Sequence, residues 1–179
     1  MTSESYTDIL LREFARLKDL AEEALAQVDD DAFFATLAEG DNSPAVIVKH
    51  IAGNLRSRWQ DFLTTDGEKP DRRRDTEFVI DANDTRAGLM ERWEVGWSLL
   101  FENLGALGPG DFERTVRVRG ESLSVLQAVN RQLTHGAYHI GQIVLLARHH
   151  AGSGWRSLSI SRGASEQFNE RPPRYVPDP

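Results

Sequence analysis

Apolar residues recur at steps of three and four along most of the chain, the period of an amphipathic helix. Tyr6, Ile9, Leu10, Phe14, Leu17, Ala21, Ala24 and Val28 predict a first helix over about residues 4–28. Asp29, Asp30 and Asp31 then start a short helical turn through Phe33 and Phe34, which Gly40 ends. The second helix has a clear start, because Ser43 suits an N-cap and Pro44 suits the first helical position, where no N–H is needed. Val48, Ile51, Leu55, Trp59 and Phe62 carry its stripe to near Leu63. Asn83, Asp84 and Thr85 offer caps for a third helix striped by Leu89, Trp93, Trp97, Leu100 and Leu104. Gly105 and Gly108-Pro109-Gly110 stop it.

The pattern changes at residues 113–119, ERTVRVR, which alternate strictly and predict a strand with Val116 and Val118 on one face. Gly120-Glu121 would turn it into a short hairpin reaching Leu123 and Val125. The last helix runs from Ser122 or Ser124 to His150, with Leu126, Val129, Leu133, Ala137, Ile140 and Val144 as its stripe. Ala151-Gly152-Ser153-Gly154 breaks it, and the proline-rich tail RPPRYVPDP is expected to lie over the helices, anchored by residues such as Trp155 and Phe168. Four long amphipathic helices predict an all-α fold, a four-helix bundle with a short β element before the last helix. One domain over residues 1–179 is expected, since no repeat, low-complexity block or linker interrupts the chain. The stretch from Thr64 to Asp81 reads as a long loop, extended at Phe78–Ile80, and loops of this length are often functional or mobile.

Composition narrows the function classes. With 40% apolar and 27% charged residues among 179, the chain is an ordinary globular one. No apolar run approaches the roughly 18 residues a membrane span needs, and the acidic N-terminus lacks the pattern of a signal peptide. A cytoplasmic protein with no membrane partner is expected. The net charge of −7 repels phosphate backbones, so no nucleic acid is expected either. The basic run Arg72-Arg73-Arg74 is flanked by Asp71 and Asp75, and reads first as a solvated loop and second as an anion-binding patch. There are no cysteines, so any sulfur chemistry must use an external thiol.

The candidate chemistry lies in the histidines. His135 and His139 are one helical turn apart, about 6 Å at Cβ, so both rings can reach one ion. They fall on the border of the last helix's apolar stripe, on a rib with Ala128 and Leu146. A third ligand must come from elsewhere, and His50, inside the second helix between Val46 and Asn54, is the natural candidate. His150 lies about 16 Å along the axis from His139 and cannot share an ion with both members of the pair. It suits the negative end of the helix dipole instead. Gln132 and Gln142 stand ready to hydrogen-bond a ligand, Arg131 to attract an anion, and Asn54 to orient a metal ligand or substrate. Tyr138 is a lesser candidate for a proton donor, and Trp59, Trp93 and Trp97 read as packing residues. On spacing alone the three histidines either hold a metal or hydrogen-bond at helix contacts.

HIAGNLRSR followed by WQDFLTTDGEKP, RGESLSVLQAVNRQLTHGAYHIGQIVLLARHH and WRSLSISRG resemble the DinB-like metal-binding superfamily, and within it a branch of domains of unknown function. The resemblance covers most of the chain. It implies a four-helix bundle, commonly dimeric, with a divalent metal on His50, His135 and His139. Zinc is the default by ligand type, while nickel, iron or manganese also bind three imidazoles. Some superfamily members transfer a low-molecular-weight thiol to electrophiles, and a related group isomerises maleylpyruvate with such a thiol. The resemblance therefore implies a metal-dependent enzyme, a thiol transferase acting on an electrophilic substrate as a homodimer. The alternatives are a metal-dependent hydrolase, or a non-catalytic metal-binding protein related to stress. Hydrolysis usually wants a carboxylate base. None adjoins the histidine pair, but the 64–81 loop carries Asp66, Glu68, Asp71, Asp75 and Glu77, one of which could fold over the site.

Overall fold

In the computed structural model, residues 5–170 are described, and they form six α-helices and one two-stranded sheet. The tail RPPRYVPDP lies outside the described residues. Four helices are long: α1 (Tyr6–Leu25), α3 (Pro44–Trp59), α4 (Arg86–Gly105) and α5 (Val125–Ala151). Two are short: α2 (Asp30–Phe34) and α6 (Ser165–Glu170). Local chemistry sets their starts. The Ser5, Ser43, Thr85 and Ser124 hydroxyls each accept a backbone N–H of the first turn that has no partner within the helix. At the other end of α1, Arg86 donates to the carbonyls of Leu25 and Val28.

Helices α1 and α3 each pack on both α4 and α5. The core between them is built on Phe14, Ile51, Leu55, Trp59, Leu89, Trp93, Trp97 and Ile140, all buried. The tryptophans are packing residues, and Phe14 meets the edges of Trp59 and Trp97 with ring centroids 6.4 Å apart. Gly96 lets α4 approach α3 closely: a Cβ there would lie 3.2 Å from the Ala52 carbonyl oxygen and 3.1 Å from the Leu55 Cβ. Among the described residues no helix is long and apolar enough to cross a membrane.

The strand expected at 113–119 is β1 (Thr115–Val118), with Val116 and Val118 buried. It pairs antiparallel with β2 (Glu121–Ser124), Val116 opposite Leu123. The turn is Arg119-Gly120, both at positive φ (57° and 76°), the geometry of the tight hairpin turns that suit strand twist. Val125 is not in the hairpin; it opens α5 and is buried there.

Two expectations are corrected. The buried face of α5 holds Val129, Gln132, Gly136, His139, Ile140 and Ile143, while Leu126 and Ala137 of the expected stripe are exposed. The helix is turned so that polar residues face inward, because a cavity rather than apolar packing lies against that part of it. The 64–81 segment is a bonded wall rather than a free loop, with a 3-10 turn at Arg74–Phe78 followed by an extended Val79. The Ser57 hydroxyl donates to the Gly67 carbonyl (2.7 Å) and accepts from the Lys69 amide. Asp66 accepts the amides of Arg119 and Gly120, both at 2.8 Å, tying the wall to the hairpin turn. Trp155 packs half-buried against the core, and Phe168 is also half-buried.

Candidate metal centre

His50 comes from the middle of α3, and His135 and His139 from successive turns of α5. Helix packing brings one ring nitrogen of each within 4.8 Å of the others. The Nε2 atoms of His50 and His135 face one another at 3.3 Å. Two nitrogens bound to one zinc at tetrahedral angles stand about 3.3–3.4 Å apart, given bonds of about 2.0–2.1 Å. Facing lone pairs at that distance repel unless a proton or cation lies between them.

Two of the rings are oriented from behind. A carboxylate only accepts, so the Glu77 Oε2 at 2.9 Å takes the proton of His50 Nδ1, and in the neutral ring Nε2 is left as the lone pair. The Gln142 Oε1 at 3.0 Å does the same for His139 Nδ1. His135 Nδ1 is buried with no partner among the described residues. Glu77 is itself clamped by Arg72, whose Nε and Nη2 reach its two oxygens at 2.9 Å each. Space for this carboxylate exists because residue 53 is glycine: a Cβ there would lie 2.4 Å from Glu77 Oε1.

The electrostatics disfavour a proton on the two α5 rings. Burial pushes His135 down to about 4, with His139, His50 and Arg72 adding to the effect. Burial also lowers His139, outweighing the bond to Gln142, and His50 and Arg74 act in the same sense. Burial would raise Glu77, but the bonds from His50 and Arg72 hold it below the usual carboxylate range. Neutral imidazole is the ligand form, so the three histidines could hold a metal ion.

The histidines open onto a cavity of about 470 Å³, within the usual size of small-molecule sites. Asn54, Arg131, Gln132 and Gln142 all line it. Asn54 is buried, and its Oδ1 has no partner among the described residues. Tyr138 stands at the rim, 64% exposed. His149 and His150 pair with each other, apart from the three. The basic run is corrected in part: the Arg72 side chain is only 3% exposed and turned inward, whereas Arg73 and Arg74 are exposed.

Sequence reasoning missed Glu77 as the partner of His50, Arg72 as its clamp, and Arg58 in the cavity wall. The signal for Arg58 was present: it lies eight residues after His50 on the rib through Asn54. The family model described as "Protein of unknown function (DUF1572)" matches residues 1–164. No curated protein and no solved structure matches the chain.

Proposed function

The chain belongs to this family of unknown function, and from the geometry of its site we propose a divalent-metal-dependent enzyme that transfers a low-molecular-weight thiol to an electrophilic substrate. The observation that carries this reading is the convergence of three imidazoles on one point at the wall of an open cavity. In the same proposal the four long helices form a DinB-like bundle, a single domain over residues 1–179. The protein is a homodimer, which rests on the resemblance alone, and cytoplasmic, which rests on the sequence pattern of its N-terminus and the lack of a long apolar run. The ion is zinc by preference, with nickel, iron or manganese compatible with the same ligands.

When bound on His50, His135 and His139, the ion supplies Lewis acidity toward a thiol sulfur or a carbonyl oxygen. The chain's own residues do the rest. Glu77 and Gln142 fix the proton of two rings on Nδ1 and aim both Nε2 atoms inward. Asn54 offers a buried carbonyl oxygen to a donor in the cavity. The absence of cysteine fits a thiol that arrives as a cosubstrate.

Hydrolysis is less well supported. Glu77 is the loop carboxylate that reaches the histidines, and both its oxygens are engaged by His50 and Arg72. No Asp or Glu lines the cavity among the described residues, so none stands ready as a base there. A purely structural site would normally be closed by a fourth protein ligand, whereas these three face an open cavity.

The test is elemental analysis of the purified protein beside a His135→Ala, His139→Ala variant, followed by conjugation assays with low-molecular-weight thiols and electrophiles. Stoichiometric metal in the parent and little in the variant is expected. Equal content in the two would overturn the site, and metal without any thiol-transfer activity would overturn the reaction.

A further inference from the structure

The charge of the cavity does not match that of the chain. The protein carries a net charge of −7, yet five arginines line this space: Arg58, Arg72, Arg74, Arg119 and Arg131. Their local counterions are few. The single carboxylate of Glu68 lies 3.3 Å from each of Arg58, Arg72 and Arg119. The buried carboxylate of Glu77 is spent on His50 and Arg72. Arg131 has only an exposed Glu121 at 3.9 Å.

The arginines are sorted along the cavity by helix geometry. On α3 the residues His50, Asn54 and Arg58 are four apart, and so share one face. On α5 the residues Arg131, His135 and His139 do the same. Each rib carries metal-ligand candidates at one end and an arginine at the other. Arg58 sits about 12 Å beyond His50 at 1.5 Å per residue. The two arginines lie at the same end, near enough for Arg131 to disfavour the charge on Arg58. Burial first, then Arg72 against the pull of Glu68, and then Arg119 and Arg131, push Arg58 down to about 10. Its side chain is 16% exposed, and its buried Nη1 stands 3.3 Å from the shared Glu68 carboxylate without making a hydrogen bond to it or to any other of the described residues. A guanidinium left in this state is a site for an oxyanion, which its planar fork fits in bidentate fashion. The apolar part of the lining lies at the arginine end: Trp59 and Phe62 follow Arg58 in the chain, and Leu123 and Ala128 precede Arg131.

We propose that this cavity binds a small organic acid, its carboxylate or phosphate held by Arg58 with Arg131 and Arg119 around it at the end where Trp59 and Phe62 line the wall, and its other end toward the three histidines. The oxyanion end stands on the arginines by themselves; the orientation of the other end rests on the metal reading above.

Calorimetric titration with 3-phenylpropionate, phenyl phosphate and uncharged 3-phenylpropanol tests this, on full-length protein treated with chelator and again loaded with zinc. Both anions should bind without metal, and the alcohol far more weakly. The better of the two anions identifies the head group. Arg58→Gln should weaken anion binding at least about tenfold, the scale of one lost charged hydrogen bond. Arg131→Gln, an exposed change that leaves the core alone, should weaken it about threefold by removing a neighbouring charge. It decides the matter if Arg58→Gln does not fold. Arg156→Gln, outside the cavity, should leave binding unchanged. No anion binding at millimolar concentration, binding indifferent to the arginine variants, or binding only with zinc present and equal in all variants would each overturn the proposal. All these variants keep the three histidines, so their zinc content separates failure of the anion site from failure of the metal reading.

Discussion

Glu77 Oε2 stands 2.9 Å from His50 Nδ1, and Arg72 grips the same carboxylate at 2.9 Å on each oxygen. Two groups from one segment thus fix an imidazole from another: α3 supplies the ring, and the 64–81 wall supplies both the acceptor and its clamp. The pairing sets which nitrogen carries the proton, and hence which one faces the other histidines.

Glu77→Gln should lower zinc affinity by about 10–100-fold, the usual cost of losing the partner behind a metal-binding histidine. The amide oxygen can still accept from Nδ1, but it brings no charge to strengthen the ring as a donor, and Arg72 loses its best partner. Competition against a chromophoric chelator reads this directly. Unchanged affinity would mean that Glu77 does not support the ring.

Gly53→Ala separates stability from the site. Alanine should favour helix α3 by up to about 1 kcal/mol. Its Cβ would nevertheless fall 2.4 Å from Glu77 Oε1 and 2.8 Å from Glu77 Cδ. A loose side chain would step aside at little cost, but this one is held at three points. The carboxylate must leave His50 or Arg72, so zinc affinity should fall while urea unfolding shows little loss of stability. Full affinity with an intact fold would show that Glu77 can serve His50 from another position.

The limits of the sequence follow from the same residues. Ser43-Pro44, the 89–104 stripe of α4 and the alternation of ERTVRVR are local signals, and each element they predict is present. The three histidines were visible as candidates because their spacing is local on α5 and His50 sits inside a helix. The face of α5 was misjudged because Gln132 and His139 count as polar in any periodicity, yet they turn inward to a cavity that other segments build. Glu77 could not be picked from the six acids in the 64–81 loop. Its place depends on a 3-10 turn and on a missing side chain 24 residues earlier at Gly53. Nor does the run Arg72-Arg73-Arg74 reveal which guanidinium turns inward, since that is decided by Glu77 and Glu68.

Gly96→Ala should destabilise the fold itself. The added Cβ would meet the Ala52 carbonyl oxygen at 3.2 Å, and backbone cannot swing away as a side chain can. Forcing α3 and α4 apart costs about 1–3 kcal/mol, more than the roughly 1 kcal/mol gained from replacing glycine in a helix. Urea unfolding should show a lower midpoint than the parent. A midpoint at or above the parent's would mean that the two helices accommodate the methyl group.

The metal-free protein should lose stability as pH falls from about 6.5, the ordinary value for a histidine. In the folded chain His135 is pushed down to about 4, and His139 is also lowered. Between these limits the unfolded chain takes up a proton that the folded His135 refuses, so the unfolded state is favoured increasingly as acid is added. Above about 6.5 the ring is neutral in both states and contributes no slope; below about 4 it is protonated in both and the loss is complete. Carboxylates held low in the fold, such as Glu77 and Asp84, give up their contribution only in more acid solution. The window from about pH 6.5 to 5 therefore belongs to His135 and His139. Urea midpoints measured across it, with chelator present, should fall more steeply for the parent than for His135→Ala, because removing the ring removes its share of the proton uptake. Equal slopes would mean that the folded protein protonates His135 as readily as the unfolded chain does. With saturating zinc the parent's slope should steepen, because protons then compete with the ion for the same nitrogens.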